Sequence, residues 1–371
     1  MKNLARGFAV LACLGTTASA LPQLRVGESA ELFLIATAGV RVDDNVLLSD
    51  GNELSDTIFE VAPGLEFTFG QGSRTTGTIR AIETLTHYLD NDDLNAELFS
   101  GEFGTVYDDG KLKLGVDAAY RQLKQNTRDV RGPAPVRRDV INAGVDTEIH
   151  VTEKTGTGLS LTYDDINYKE PGYIDSTELA IPFNYFYEIS PKVDVSVGLR
   201  YRETSLDGGV GDSTDYYYNV GARGDFSPKL SGRFSVGYAQ RKLESGRDES
   251  SFGAEGEFKY LLTEKTALRF AVSNDFTTSA EGTSQKTFNV SPSLVTKFSS
   301  QWEGSVGVTY QQIAYFPSRD DEYIDANFGL GYRVSENVRF AAAYNYRVND
   351  SNVVGADFDN NVFSLTAVLR F

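Results

Sequence analysis

Histidine is the side chain that most often supplies acid–base catalysis near neutral pH, and the sequence has two, His87 and His150. Neither has a serine or cysteine partner at the spacing of a nucleophile motif. The single cysteine, Cys13, lies near the amino terminus in an apolar run. The sequence shows no metal-ligand spacing, phosphate loop or dinucleotide fingerprint. We therefore expect no enzyme activity, no metal and no cofactor; if the chain were an enzyme, His87 near a loop edge would be the residue to test.

Carboxylates are plentiful, and they set the charge of the chain. Asp43, Asp44 and Asp50, and likewise the acidic run between residues 90 and 93, offer oxygen ligands of the kind that Ca²⁺ prefers. They lack the full pattern of an EF-hand loop, so ordinary acidity of exposed loops is the better interpretation. The net charge of −17 argues against a nucleic-acid partner.

Arginines are the third group of residues that could bind a ligand. Nine of them alternate with apolar residues and are expected to share one face of their strands. Guanidinium groups bind carboxylates through two parallel hydrogen bonds, so an interior lined by them would steer anions or carboxylated sugars. In the alternative, which we favour, they neutralise neighbouring Asp and Glu in a solvated network that keeps the wall rigid. These lumen-lining candidates are Arg200, Arg202, Arg223, Arg233, Arg241, Arg269, Arg333, Arg339 and Arg347.

The elements that would position these side chains are strands with a period of two residues. Leu268, Phe270 and Val272 alternate with Arg269 and Ser273, for example. Short turns beginning at residues 190, 227, 263, 299 and 335 recur at spacings of 37, 36, 36 and 36. Each unit holds two runs of about 12 residues, longer than the usual soluble strand and suited to a tilted membrane strand.

Short turns alternate with longer polar stretches, which is the asymmetry of outer-membrane barrels. No apolar run after residue 20 is long enough for a membrane helix. Phe and Tyr cluster beside the short turns, as an interfacial girdle would. We therefore predict an all-β, transmembrane, antiparallel up-and-down barrel of about 18 strands, with 16 as the fallback; a soluble β-sandwich is the rival. The stretch Thr127–Arg137 is the best candidate for a partial plug.

The two ends of the chain carry export signals. Lys2 and Arg6 precede a short apolar run and the small-residue site at residues 18–20, so we predict a signal peptide over 1–20 and a single barrel domain over 21–371. A lipobox ending at Cys13 is a weaker alternative. At the other end, an alternating apolar face and an aromatic last residue resemble the sorting signal of the bacterial barrel-assembly machinery. Its residues are Phe363, Leu365, Leu369 and Phe371.

The segment Ala38–Val46 (AGVRVDDNV), the repeated hairpins and the aromatic end resemble the beta-barrel porin type 2 family of Gram-negative outer membranes. The resemblance implies a passive pore or an accessory to exopolysaccharide export, and it carries over no catalytic or ligand residues. We expect the final strand to close the barrel against the first strand, near Glu31–Val42.

Our leading interpretation is an outer-membrane channel for passive diffusion of small hydrophilic solutes, with arginine-rich walls favouring anions. The alternative is an accessory barrel in exopolysaccharide or envelope export, and an outer-membrane enzyme ranks third. The expected partners are outer-membrane lipid, lipopolysaccharide, the barrel-assembly machinery, and small solutes or polysaccharide. The oligomeric state stays open.

Overall fold

The structure is a computed structural model that describes residues 24–209 and 211–371. The predicted signal peptide, residues 1–20, lies outside this range. The described chain consists of strands and one short 3-10 helix, Asp92–Leu94. None of the helices in the described part is long and apolar enough to cross a membrane.

Eighteen long strands, each of 13 to 15 residues, run antiparallel in chain order, and a three-residue strand precedes them. Their bounds are β1 Leu24–Val26, β2 Ala30–Asp43, β3 Asp56–Phe69, β4 Thr75–Tyr88, β5 Ala96–Asp108, β6 Leu112–Lys124, β7 Arg137–His150, β8 Thr155–Tyr168, β9 Ser176–Ser190, β10 Val193–Leu206, β11 Ser213–Ser227, β12 Leu230–Leu243, β13 Asp248–Leu261, β14 Thr266–Thr278, β15 Ser284–Lys297, β16 Trp302–Tyr315, β17 Arg319–Arg333, β18 Val338–Ser351 and β19 Phe358–Arg370.

The last strand pairs with the first long strand and closes the sheet. β19 runs antiparallel to β2 from Val362 opposite Asp43 to Arg370 opposite Ile35. Leu34 and Phe371 then exchange two backbone hydrogen bonds of 2.7 and 2.8 Å. Below this point β1 folds back onto β2 and continues the seam. The closure satisfies the backbone groups that a hydrocarbon layer would leave without partners, and it confirms both the predicted eighteen strands and the predicted seam.

Side chains divide between an outer apolar face and an inner polar face. On β8, Leu159, Leu161 and Tyr163 are exposed, and they alternate with Ser160 and Thr162 on the other face. The same alternation runs along β18 and β19. An apolar surface that is exposed on the outside of a closed barrel is the one that meets lipid.

The two rims of the barrel differ. Eight short connections, such as Pro191–Lys192 and Pro228–Lys229, join the strands at one rim, which we call the turn end. The opposite rim, the loop end, carries longer connections, including residues 44–55 and 125–136. Aromatic rings gather near the turn end, where Trp302 and Tyr332 lie 4.6 Å apart between centroids. In barrels of this type the short turns face the periplasm and the loops face outward.

Candidate functional site: the barrel interior

The interior is identified by contacts between strands that are not neighbours, because only the concave side of a closed sheet brings such strands together. Arg200 on β10 donates to Asp275 on β14 at 2.6 Å. Arg223 on β11 donates to Glu148 on β7 at 2.6 and 2.8 Å. The nine predicted arginines all alternate with outward apolar residues on their strands.

A buried ionic cluster, formed by Arg200, Arg202, Asp215, Arg241 and Asp275, lines the loop-end half of β10–β14. Arg241 is fully buried and binds Asp215 through Nε at 2.7 Å and Nη2 at 2.8 Å. Arg202 also binds Asp215 and reaches Asp275 at 3.2 Å. Carboxylates, carbonyls and hydroxyls accept hydrogen bonds from most of these guanidinium groups, so the cluster stiffens the wall and offers little to a solute.

A second cluster lies at the turn end. Arg223 forms a two-pronged pair with Glu148, binds Asp194 at 3.0 Å, and stacks 3.6 Å from the centroid of the Phe186 ring. Because β7 and β11 are four strands apart, the contact of Arg223 with Glu148 links two parts of the wall that are about a quarter of the ring apart.

A chain of ion pairs and hydrogen bonds, which the sequence does not predict as a unit, crosses the wall from β19 to β8. Arg370 and Arg80 bind opposite oxygens of Glu66 at 2.7 and 2.5 Å. The links continue as pairs in order along the barrel: Arg80 to Glu102 at 3.4 Å, Arg121 to Glu102 at 2.8 Å, Arg121 to Asn142 at 2.9 Å, and Asn142 to Asp164. Each member lies on the polar face of its strand, which the sequence shows. The partners lie too far apart in sequence for their pairing to be read from it.

The remaining arginines differ in their partners. Arg233 pairs with Glu257 at 2.9 Å, Arg339 with Glu303 at 2.5 Å, and Arg347 with the side-chain oxygen of Asn360 at 2.5 Å. Arg333 lies opposite Arg339 in the ladder. Within the described residues, Arg269 forms no ion pair. Six of the nine arginines are therefore paired with carboxylates.

The loop of residues 125–136 crosses the lumen at the loop end. It leaves β6 and returns to β7, yet Arg128 donates to Gln311 on β16 at 2.8 Å and Asp129 accepts from the Tyr315 hydroxyl. β16 lies nine strands from β7 in a ring of eighteen, so the loop reaches the opposite wall. This is the stretch that the sequence singled out as a partial plug.

Side-chain hydrogen bonds to backbone carbonyls and apolar packing fix the same loop to its neighbours. Arg131 donates to the carbonyl of Ala356 at 2.9 Å, and Asn126 donates to the carbonyl of Leu47 at 3.0 Å. Val130 and Val136 are buried against Ala280 of the β14–β15 loop. The loop end is thus narrowed by one loop that is clamped to three others.

Charges in this loop are tightly coupled. Burial by itself would raise the pKa of the Asp129 carboxyl, but the Arg128 guanidinium beside it and the Tyr315 hydroxyl outweigh burial and lower that pKa. Burial likewise opposes the charge of Arg128, and Asp129 reverses this and raises its pKa. Burial and the nearby Arg319 lower the pKa of Arg131. The pair formed by Arg128 and Asp129 is therefore charged at neutral pH.

The other candidate residues, His87, Asp43 and Asp44, form hydrogen bonds with neighbouring asparagine side chains. His87 faces the side chain of Asn95 at 3.0 Å. Asp43 and Asp44 accept hydrogen bonds from the amides of Asn360 and Asn361. Within residues 24–209 and 211–371, no three His, Cys, Asp or Glu side chains are grouped so as to hold a metal ion.

The residues of the predicted assembly signal lie on the outer face of β19 and at the carboxyl end. Phe363 and Leu365 are each 48% exposed and Phe371 is 45% exposed. Leu369 alternates with them on the same face, opposite Val338 of β18. A role in assembly stays a prediction.

Comparisons with known proteins agree with this architecture. The family described as "Putative beta-barrel porin 2", a family of porin-like channels rather than enzymes, matches residues 32–371. A search of curated protein sequences finds no match. The family and the closed 18-strand barrel place the chain in the outer membrane, among its lipids and lipopolysaccharide.

Solved structures with a similar fold include three outer-membrane proteins of Pseudomonas aeruginosa. OpdO is 12% identical, with a TM-score of 0.50 over 92% of this chain and 98% of that chain. OpdK, solved with vanillate, is 11% identical, with a TM-score of 0.51 over 92% and 99%. OpdQ is 9% identical, with a TM-score of 0.50 over 93% and 100%. At these identities the likeness shows the fold alone.

Proposed function

Because the chain belongs to the beta-barrel porin 2 family, we propose that it is an outer-membrane channel for passive diffusion of small hydrophilic solutes, with a modest preference for anions. The observation that carries the proposal is solvent access inside a closed barrel. Arg233 and Glu257 lie on the inner face near the turn end, and their side chains are 47% and 57% exposed. Charged side chains with this exposure need water around them, and a wetted interior is the basis of conduction.

The size limit of the proposed channel follows from the loop of residues 125–136. Its contacts with Gln311, Leu47 and Ala356 hold it across the loop end. A solute must pass beside this loop, so small solutes are favoured over polymers.

The preference for anions is modest because most interior arginines already have carboxylate partners. Arg200, Arg202, Arg223 and Arg241 each bind at least one Asp or Glu. An ion pair of this kind has little net charge to offer at a distance. Among the described residues Lys259 and Arg269 form no ion pair, so the excess positive potential is left to cations of this kind.

Liposome swelling tests the proposal. Vesicles that contain the refolded barrel should swell in isotonic solutions of small sugars and small organic acids, and more slowly as solute size increases. Heat-modifiable mobility on a gel serves as the control for folding. A barrel that passes this control and admits none of the solutes would overturn the proposal.

The second candidate is an accessory barrel in envelope or polysaccharide export, and the clamped loop is the observation that favours it. A barrel kept narrow in this way would support export machinery and would pass little solute by itself. Deleting the gene would then change surface polysaccharide and leave the uptake of small solutes unchanged, whereas a channel predicts the reverse.

A further inference from the structure

Three pairs of cations lie directly opposite each other on the inner face. Arg223 faces Arg233 between β11 and β12, Lys259 faces Arg269 between β13 and β14, and Arg333 faces Arg339 between β17 and β18. Residues at such positions have Cβ atoms about 5 Å apart, and like charges there destabilise the sheet unless something offsets the repulsion. A comparison of the three pairs shows what offsets this repulsion in each.

Two of the three pairs have carboxylates supplied by the barrel itself. Arg223 binds Glu148 and Asp194, and its neighbour Arg233 binds Glu257. In the pair of Arg333 and Arg339, Glu303 binds Arg339 at 2.5 Å. In each of these pairs the repulsion is offset within the protein.

The pair of Lys259 and Arg269 has no such carboxylate. In the described part of the chain, neither residue forms an ion pair. The acid in the neighbouring ladder position, Glu257, is bound to Arg233 at 2.9 Å. Glu255 and Asp275, further along the same two strands, are bound to Arg200. The acids on β13 and β14 that face inward beside the pair are therefore committed elsewhere.

The surroundings of this pair suit a bound anion. Both side chains are exposed to the interior near the turn end, where solvent enters. The ladder places Ser231 opposite Lys259 on one side and Ser293 opposite Arg269 on the other. Two cations flanked by two serine hydroxyls, which can donate hydrogen bonds, give an oxyanion two positive charges and several donors.

We propose that Lys259 and Arg269, flanked by Ser231 and Ser293, form a binding subsite for the carboxylate or phosphate group of a small anion at the periplasmic mouth of the lumen. The anion supplies the negative charge that Glu148, Asp194, Glu257 and Glu303 supply to the other two pairs. This subsite deepens the proposed channel function, because it gives a permeating anion a place to rest, but its occupancy does not depend on current through the barrel.

Equilibrium binding to the purified full-length barrel in a non-ionic detergent tests the subsite. Isothermal titration with sodium benzoate, and separately with inorganic phosphate, should show saturable binding that weakens as NaCl is raised. The variants Lys259→Gln and Arg269→Gln should each weaken binding about tenfold or more, as expected for loss of a charge-assisted hydrogen bond, and the double variant should abolish it. Arg269→Lys should retain most of the affinity.

A matched control removes the same charge elsewhere at the same rim. Lys229 and Lys265 lie in the short turns on either side of β12 and β13, and the double variant Lys229→Gln/Lys265→Gln should bind like wild type. Because each site variant removes a repulsion, its thermal stability should equal or exceed that of wild type, so lost binding will not reflect misfolding.

Each outcome of the binding experiment supports or overturns the subsite. Binding of one probe alone assigns the subsite to that oxyanion. If wild type shows no saturable binding, or if the Lys259 and Arg269 variants bind as wild type does, the subsite is overturned even when the barrel conducts. A barrel that binds benzoate at this pair and admits no solute would retain the subsite and overturn the channel.

Discussion

Arg241 shows how a full charge is accommodated in the wall of this barrel. Its guanidinium is completely buried, and it binds both oxygens of Asp215 and the carbonyl of Thr277. Taking two charges out of water is costly, and the geometry of the pair offsets that cost only while both partners are present. The residue therefore acts on stability and has little effect on a passing solute.

Replacing Arg241 by alanine should leave Asp215 buried with one cation fewer and should lower the free energy of unfolding by about 3–5 kcal/mol. Arg233→Ala removes the same side chain from a half-exposed pair with Glu257, and it should cost less than about 1 kcal/mol. Urea unfolding of the refolded barrel in micelles measures both changes. Equal losses in the two variants would contradict the assignment of Arg241 to a buried structural pair.

At the scale of residues, the sequence predicts faces well and pairings poorly. The period of two puts Arg269 and Arg339 on the polar face of their strands, because neighbouring side chains on a strand point in opposite directions. It does not show that Glu66 lies between Arg80 and Arg370, since that contact depends on closure of β19 against β2. It also does not show that Lys259 and Arg269 are the cations that form no ion pair within the part of the chain that the structure describes.

Loop 125–136 is the element that decides how open the barrel is. Asp129 lies at its centre and accepts from Arg128 and Tyr315, while Arg131 reaches the carbonyl of Ala356 on another loop. These contacts clamp a long loop across the lumen through hydrogen bonds, most of which have one charged partner. The length of the stretch made it the best candidate for a partial plug, but the contacts on β16 follow only from the closed ring.

Loss of the clamp should widen the channel. The double variant Asp129→Asn/Arg131→Ala removes one ionic contact and one charged donor, so the loop should leave the lumen more often and the single-channel conductance should rise several-fold. Ala134, which is exposed in the same loop, provides the control, and Ala134→Ser should conduct as wild type does. Unchanged conductance in the double variant would show that the loop does not limit the current.

The pH dependence of the clamp follows from the lowered pKa of Asp129. A carboxyl whose pKa falls on folding stabilises the docked loop above its ordinary value of 3.8, and it loses this effect only as the pH drops through the lowered value. Conductance should therefore stay constant from neutral pH down to that ordinary value and increase only below it. The Asp129→Asn variant should lack this acid-induced increase; an increase in wild type near neutral pH would contradict the account.

β19 is the element on which assembly is expected to depend. Phe371→Ala should lower the amount of folded barrel in the outer membrane, because we predict that the aromatic end is recognised before closure. Phe340 on the neighbouring strand is also an exposed outward aromatic, at 50%, so Phe340→Ala is the matched control. Heat-modifiable mobility of membrane fractions reports the folded fraction, and equal losses in both variants would count against a sorting signal.

The whole molecule is a ring in which the first and last long strands complete one hydrogen-bonded ladder. Regular turn spacing and strands of 13 to 15 residues made the strand number predictable from the sequence. Pore width is a different property, because the circumference is set by strand number and the constriction by an inward loop. The constriction comes from the clamped loop, whose contacts with β16 join parts of the chain that are distant in sequence.

Single-channel conductance in a planar bilayer tests the central claim most directly. The refolded wild-type barrel should give stepwise, ohmic currents with a reversal potential that shows a modest preference for chloride over potassium, and deletion of residues 127–134 should enlarge the steps. A barrel that is folded by gel mobility, yet gives no current with or without residues 127–134, would contradict the account of this protein as a channel.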